Sequence, residues 1–345
     1  MPLVATGSKV LVTGANGYIA SWVSRTLLEA GFAVRGQVRS VAKGEHSKKL
    51  FSAYGERYEI VVVEDITKEG AFDEAVKGVD AIEHTASPVT FVCDDPKELI
   101  EPAVQGTLGL LRSALRFGSN LKRVVMTSST AAVITVTDTP QIFSELDWNE
   151  QAVKDVEENG RDALGRNKYR ASKSLAEKSA WRFVEENKDA IGWDFVVIIP
   201  PYVFGPILHD VPDLSQLNVS VSEFYQAVIK GSGPPEFRST WVDVRDLALA
   251  HILALQKEQA GGNRFIVCAG TFTWQDFVDT ANAISPLVYT NLPKGSPDTR
   301  SGAPGVVHLI DFDVSKARRV LGIEKYITKE ECTLACLEDF KARGW

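Results

Sequence analysis

The chain is poor in cysteine and methionine, with four and two in 345 residues. Cys93, Cys268, Cys332 and Cys336 form no CxxC pair, which excludes a disulfide framework and a thiolate metal knuckle. The five histidines (His46, His84, His209, His251 and His308) show no metal-ligand spacing, so no metal is expected. Long apolar runs are missing too. The best, Phe195–Phe204, is broken by Pro200 and Pro201 and falls short of a membrane span. There is no excess of basic charge: 38 Lys and Arg against 45 Asp and Glu leave a net charge of −7, so no nucleic-acid partner is expected. Internal repeats, low-complexity tracts and a signal-like start are not evident. A soluble, cytoplasmic protein without a membrane partner is expected.

What is present is an alternation of strand and helix signals. Apolar strands are predicted at Lys9–Thr13, Ala33–Val38, Glu59–Val63, Asp80–His84, Arg123–Ser128 and Phe195–Ile199. Helical patterns fall between them, including Lys68–Lys77, Pro96–Phe117 and Tyr169–Asn187. This is the signature of βαβ units on a parallel sheet, an α/β doubly wound fold. After Pro200 the pattern changes, with helices expected at 221–230, 243–256, 274–283, 313–321 and 328–342. We therefore expect a dinucleotide-binding part over 1–200 and a smaller, mainly substrate-binding region over 201–345. The two are interleaved, with later strands near 236–270 returning to the first part, Arg264–Cys268 among them.

The first strand runs into Thr13-Gly14-Ala15-Asn16-Gly17-Tyr18-Ile19-Ala20 and then a helix. Gly14 permits the tight turn, Gly17 lets the backbone approach a pyrophosphate, and helix N–H groups bind its charge. Thr13, Gly14, Asn16, Gly17, Tyr18 and Ile19 are the candidate cofactor contacts here. Arg39 stands near the end of the second strand, where an acidic residue would grip ribose hydroxyls, and Lys43 is close by. A guanidinium suits a 2′-phosphate, which favours NADP(H) over NAD(H). Asp65 could meet the adenine or cap the next segment, with Ile66 beside it.

Tyr169 and Lys173 lie i,i+4 on a predicted helix face. An ammonium beside a phenol is expected to lower its pKa and fit it for proton transfer to a carbonyl oxygen. Lys173 could also hydrogen-bond the nicotinamide ribose. Thr127, Ser128 and Ser129 end the fifth strand, where parallel sheets place ligands. Ser129 is expected to hold the substrate oxygen, and Ser128 is the adjacent alternative.

With TGANGYIA at 13–20, TSS at 127–129, YRASK at 169–173, IIPPYVFGP at 198–206 and WVDVRDLALAH at 241–251, the chain resembles the extended short-chain dehydrogenase/reductases. Within them it is most similar to the fungal NADPH-dependent aldehyde and ketone reductases of the dihydroflavonol-reductase-like group. The resemblance implies a Rossmann-type fold and NADPH as cofactor. It implies catalytic Ser129, Tyr169 and Lys173, and NADPH contacts from Arg39, Asp65, Thr85, Ala86, Ser87, Thr127, Pro200 and Val203. Gly109 departs from the asparagine that relatives commonly carry.

Val89, Phe91, Phe204, Phe224 and Trp241 are expected to wall an apolar pocket with Ser129. No basic cluster in 201–240 offers to hold a second diphosphate, Arg238 being the only arginine there. The expected activity is NADPH-dependent reduction of aldehydes, ketones or keto esters to alcohols by a monomer or homodimer. Alternatives are a sterol-type or sugar-nucleotide dehydrogenase or epimerase, and a non-catalytic NADP-binding regulator.

Overall fold

The computed structural model describes residues 3–87 and 93–345. In chain order its elements begin with β1 (Lys9–Thr13), α1 (Tyr18–Glu29), β2 (Ala33–Val38), α2 (Val41–Leu50), β3 (Tyr58–Val62), β4 (Ala81–His84) and α3 (Lys97–Phe117). There follow β5 (Arg123–Thr127), β6 (Gln141–Phe143), α4 (Glu150–Asn159), α5 (Gly165–Glu186), β7 (Asp194–Ile199) and β8 (Tyr202–Phe204). The chain ends with α6 (Val219–Val228), β9 (Arg238–Asp243), α7 (Val244–Gln256), β10 (Asn263–Ile266), β11 (Gly270–Thr273), α8 (Trp274–Ala283), β12 (Ile310–Phe312) and α9 (Lys329–Ala342).

Seven strands form one parallel sheet in the order β10-β7-β5-β4-β1-β2-β3. The strands β1, β5 and β7 read as largely apolar runs because helices cover both faces, whereas β4 ends in the buried Glu83 and His84. The order reverses between β1 and β4, and ligands of such sheets sit at the carboxyl ends beside that reversal. A smaller sheet, β11-β9-β8, and the pair β12-β6 stand beyond those ends. Chain that has left the main sheet comes back to it: β10 pairs with β7, Phe265 opposite Ile198.

The segment 68–77 is not the predicted helix but a run of turns. Its bonds are mostly of the i to i+3 kind, such as Ala71 N to Lys68 O and Asp73 N to Gly70 O. Gly70 and Gly78 take φ of +70° and +69°, which a helix does not accept. Burial of Phe72, Ala75 and Val76 holds the turns down. The helix expected at 313–321 widens to a π-helix over Ala317–Leu321. Helices α2 and α4 and the short strands β6, β8, β11 and β12 go beyond the predicted set, and β9, within the 236–270 span expected to return to the first part, pairs with β8 and β11 in the smaller sheet instead. Helix α4 is mostly polar, so its apolar stripe is too thin to read.

Candidate active site

The Gly14, Ala15 and Gly17 amides of the Gly-rich turn are bonded within the protein, and the open donors belong to the helix that follows it. Gly14 takes φ of +65°, and a Cβ there would come within 3.2 Å of Ala86. The amide of Gly14 donates to Gln37 Oε1 at 2.9 Å, Ala15 N donates to Gln37 O at 2.8 Å, and Gln37 Nε2 donates to Val63 O at 3.1 Å. Gln37 thus braces the turn against β2 and β3. Helix α1 starts at Gly17 with no side-chain cap and no acidic residue in its first turn. Its opening residues Gly17, Tyr18, Ile19 and Ala20 line a cleft. An uncapped helix start with unpaired first-turn amides fits a pyrophosphate. Tyr18 can offer only its backbone, because its hydroxyl donates to Gly205 O at 2.9 Å.

Thr13 ties the second wall to the first. Its hydroxyl oxygen accepts from Thr85 N at 3.1 Å and Ala86 N at 3.0 Å. With both lone pairs used, its proton goes to His84 Nδ1 at 2.9 Å. His84 then donates from Nε2 to Thr107 Oγ1 at 3.2 Å. The imidazole is neutral: burial, with the Lys173 charge adding to it, brings its pKa down to about 3. His84 therefore aligns the β4 end and does not transfer protons at neutral pH.

Ser129 follows β5, and Tyr169 and Lys173 come from α5; all three line the same cleft. Ser129 hydrogen-bonds the Tyr169 phenol, and its oxygen accepts from Ala131 N at 3.1 Å. Lys173 Nζ lies 5.8 Å from the centre of the Tyr169 ring. Burial pushes the phenol up to about 12 against the pull of the Ser129 hydrogen bond. The sequence suggested the opposite direction, from the ammonium, but at this spacing desolvation wins. Burial also brings Lys173 down to about 8, opposed by the Glu177 carboxylate one turn further on. The adjacent serine also lines the cleft, but its proton is committed: Ser128 Oγ donates to Glu177 Oε2 at 2.5 Å.

The cleft has a volume of about 510 Å³ and also takes in Thr85, Ser87, Thr127, Pro200 and Val203. Gly14, Asn16 and Ala86 are not among its lining residues; Gly14 lies against Ala86, which follows β4. Arg39, Lys43 and Asp65 are exposed past the ends of β2 and β3, and Ile66 is half-buried against Gly106 of α3. Asp65 caps a turn, accepting from Thr67 N at 2.9 Å and Thr67 Oγ1 at 2.6 Å. Val89 and Phe91 lie outside the described residues.

Three expected pocket residues are core instead. Phe204, Phe224 and Trp241 are 0%, 1% and 2% exposed. Phe204 is the hub, 5.2 Å from Phe224, 6.4 Å from Trp241 and 5.3 Å from Phe277 between ring centres. This aromatic packing holds the smaller sheet to its helices and leaves those rings no open face. The apolar walls of the cleft are Ile134, Leu217, Val219, Phe237 and Ile310. Arg166, Arg170 and Tyr202 also line it. Sequence reading missed these because α5 arginines three residues before Tyr169 and Lys173 look like a solvated helix face. Their i, i+3, i+4, i+7 spacing with Tyr169 and Lys173 was the available signal.

Comparison with known proteins agrees with this architecture. Residues 10–269 match the NAD dependent epimerase/dehydratase family. The ketoreductase azaE of Aspergillus niger is 38% identical, over 91% of this chain and 92% of its own. The NADPH-dependent methylglyoxal reductase GRE2 of Saccharomyces cerevisiae is 36% identical, over 93% of this chain and 95% of its own. The crystal structure of yeast methylglyoxal/isovaleraldehyde reductase Gre2 complexed with NADPH superposes with a TM-score of 0.86 at 33% identity, covering 97% of this chain and 99% of that one. By its parallel sheet, its glycine turn and these matches, the chain belongs to the NAD dependent epimerase/dehydratase family, among the extended short-chain dehydrogenase/reductases.

Proposed function

We propose that this protein is an NADPH-dependent carbonyl reductase that converts aldehydes, ketones or keto esters to alcohols. The observation that carries it is the convergence of Ser129, Tyr169 and Lys173 on one cleft with the uncapped glycine turn. The named activities of the ketoreductase and the methylglyoxal reductase support it. Residues 1–200 hold the cofactor in this reading, and 201–345 mainly shape the substrate side. A cytoplasmic monomer or homodimer goes with it. No helix among the described residues is long and apolar enough to cross a membrane.

When bound, NADPH supplies a hydride to the carbonyl carbon. The α1 start and Thr85 to Ser87 hold its phosphates and ribose, and Arg39 with Lys43 meets the 2′-phosphate. Ser129 donates a hydrogen bond to the carbonyl oxygen and holds it beside the Tyr169 hydroxyl. Because burial keeps Tyr169 protonated at neutral pH, it carries the proton the developing alkoxide needs. Lys173 orients the ribose and offers a positive charge to the phenolate left behind. Apolar walls limit the water that would compete for that proton.

The test is NADPH consumption across a carbonyl panel, run in parallel with NADH. Carbonyl-dependent NADPH oxidation exceeding that with NADH is expected. Absence of turnover across aldehydes, ketones and keto esters would leave the non-catalytic reading in its place.

A further inference from the structure

Helix α5 carries more than the proton-transfer pair. Arg166, Tyr169, Arg170 and Lys173 occupy i, i+3, i+4 and i+7 on one side of it, and all four line the cleft. The two arginines differ in their surroundings. Arg166 lies 4.0 Å from Glu223 of α6, sits 5.9 Å from the centre of the Phe237 ring and shares hydrogen bonding with Tyr202. Arg170 donates from Nη1 to Asn167 Oδ1 at 3.1 Å. Among the described residues no carboxylate comes within 4.0 Å of the Arg170 guanidinium, and none of residues 88–92 is acidic.

Arg170 is half-buried, beside a second guanidinium, in a cleft that apolar Leu217 and Val219 also line. Burial and the Arg166 charge together hold its pKa below the usual arginine range. A cation kept in such surroundings has lost hydration that no protein anion returns. A planar carboxylate restores it through two parallel hydrogen bonds. A sugar-nucleotide diphosphate fits less well. It needs several cations together, whereas Arg166 already faces Glu223 and Arg238, the third arginine of the cleft, donates to the Glu236 carbonyl.

We propose that Arg170 is a specificity-determining residue that grips a carboxylate on the substrate, so that short oxo acids are preferred over their neutral esters. This rests on the carbonyl-reductase reading and names the substrate class of the same cleft. No new covalent step is involved: hydride and proton go to the carbonyl as above, and the carboxylate stays intact.

The experiment compares 3-oxobutanoate with its ethyl ester as substrates, by NADPH consumption, in the wild type, Arg170→Gln and Arg170→Lys. The wild type is expected to favour the acid in kcat/KM. In Arg170→Gln the acid-to-ester ratio should fall about 10- to 100-fold, through KM for the acid, as loss of a charged hydrogen-bonded pair implies. Arg170→Lys should recover part of it. Butanoate, which cannot be reduced, should compete with the ester on the wild type, a measurement that needs no variant to fold. A wild type that prefers the ester, or a ratio unmoved in Arg170→Gln, overturns the carboxylate subsite while turnover of neutral aldehydes keeps the reductase reading. Failure of every carbonyl to oxidise NADPH would remove both.

Discussion

Ser128 Oγ donates to Glu177 Oε2 at 2.5 Å, and that bond gives two neighbouring serines different partners. Both line the cleft, but Ser128 is 3% exposed and donates to a buried carboxylate, whereas Ser129 hydrogen-bonds Tyr169. Ser129→Ala should lower kcat by about 10²-fold or more, since it removes a donor aimed at the reacting oxygen. Ser128→Ala should leave kcat within about threefold but cost ~1–2 kcal/mol of stability, the price of an unmet partner on Glu177. Steady-state kinetics and thermal melts of the two variants distinguish these outcomes. Loss of turnover in Ser128→Ala with normal stability would reverse the assignment.

Tyr169→Phe removes the proton donor and little volume. The expected loss in kcat is ~10²–10⁴-fold, the range of general acid catalysis. Titration of NADPH fluorescence should show the cofactor still bound. Near-full carbonyl reduction by this variant would take the acid role away from Tyr169.

The pH dependence should report Lys173, held down to about 8 by burial. Its charge is present below that pH and lost above it. Reductive kcat/KM, which follows groups of the free enzyme, should therefore be steady near neutrality and fall as pH rises through about 8. Lys173→Met should be slow throughout and lack this descending limb. A wild-type profile that instead climbs through the same range would contradict the charge requirement.

Arg39 is exposed past β2, on the rim beside the braced glycine turn. Arg39→Ala should reduce the NADPH-to-NADH ratio of kcat/KM by about 10-fold or more, the worth of a charge-assisted hydrogen bond to phosphate. Parallel assays with the two cofactors measure it. An unchanged ratio would move 2′-phosphate recognition elsewhere.

Arg264 of β10 donates from Nε to Glu177 at 2.6 Å and lies 3.7 Å from the centre of the Trp148 ring. Arg264 is 8% exposed and Glu177 0%. Arg264→Leu leaves a buried carboxylate uncompensated, with an expected cost of ~3–5 kcal/mol. Denaturant unfolding should record it as a lower midpoint. A change under ~1 kcal/mol would mean the pair is not the clamp its geometry describes.

Much of this was readable in advance because the parallel sheet writes itself as apolar runs. The strand limits at Lys9–Thr13 and Ala33–Val38 agree with the structure residue for residue. The glycine turn and the tyrosine–lysine spacing were legible since both are local in sequence. The pocket walls were not. A large aromatic such as Phe204 serves a core or a cleft equally well by composition, and only tertiary packing puts it at the centre of other rings. Gln37 was hidden for a related reason: a polar residue in a buried strand declares its purpose only when the turn it braces is seen beside it. The basic wall escaped because it was sought at 201–240, after the proline break, while Arg166 and Arg170 come from the catalytic helix.

The placement of β10 has a consequence for synthesis. Strand β7, Asp194-Phe-Val-Val-Ile-Ile199, is an apolar ribbon whose outer edge is covered by a strand made more than 60 residues later. A chain emerging from the ribosome presents that ribbon unpaired, with hydrogen-bonding groups open to any passing strand. At about 5–20 residues per second, the interval lasts several seconds. Chaperone demand for this protein should therefore peak after β7 is exposed and end when β10 arrives.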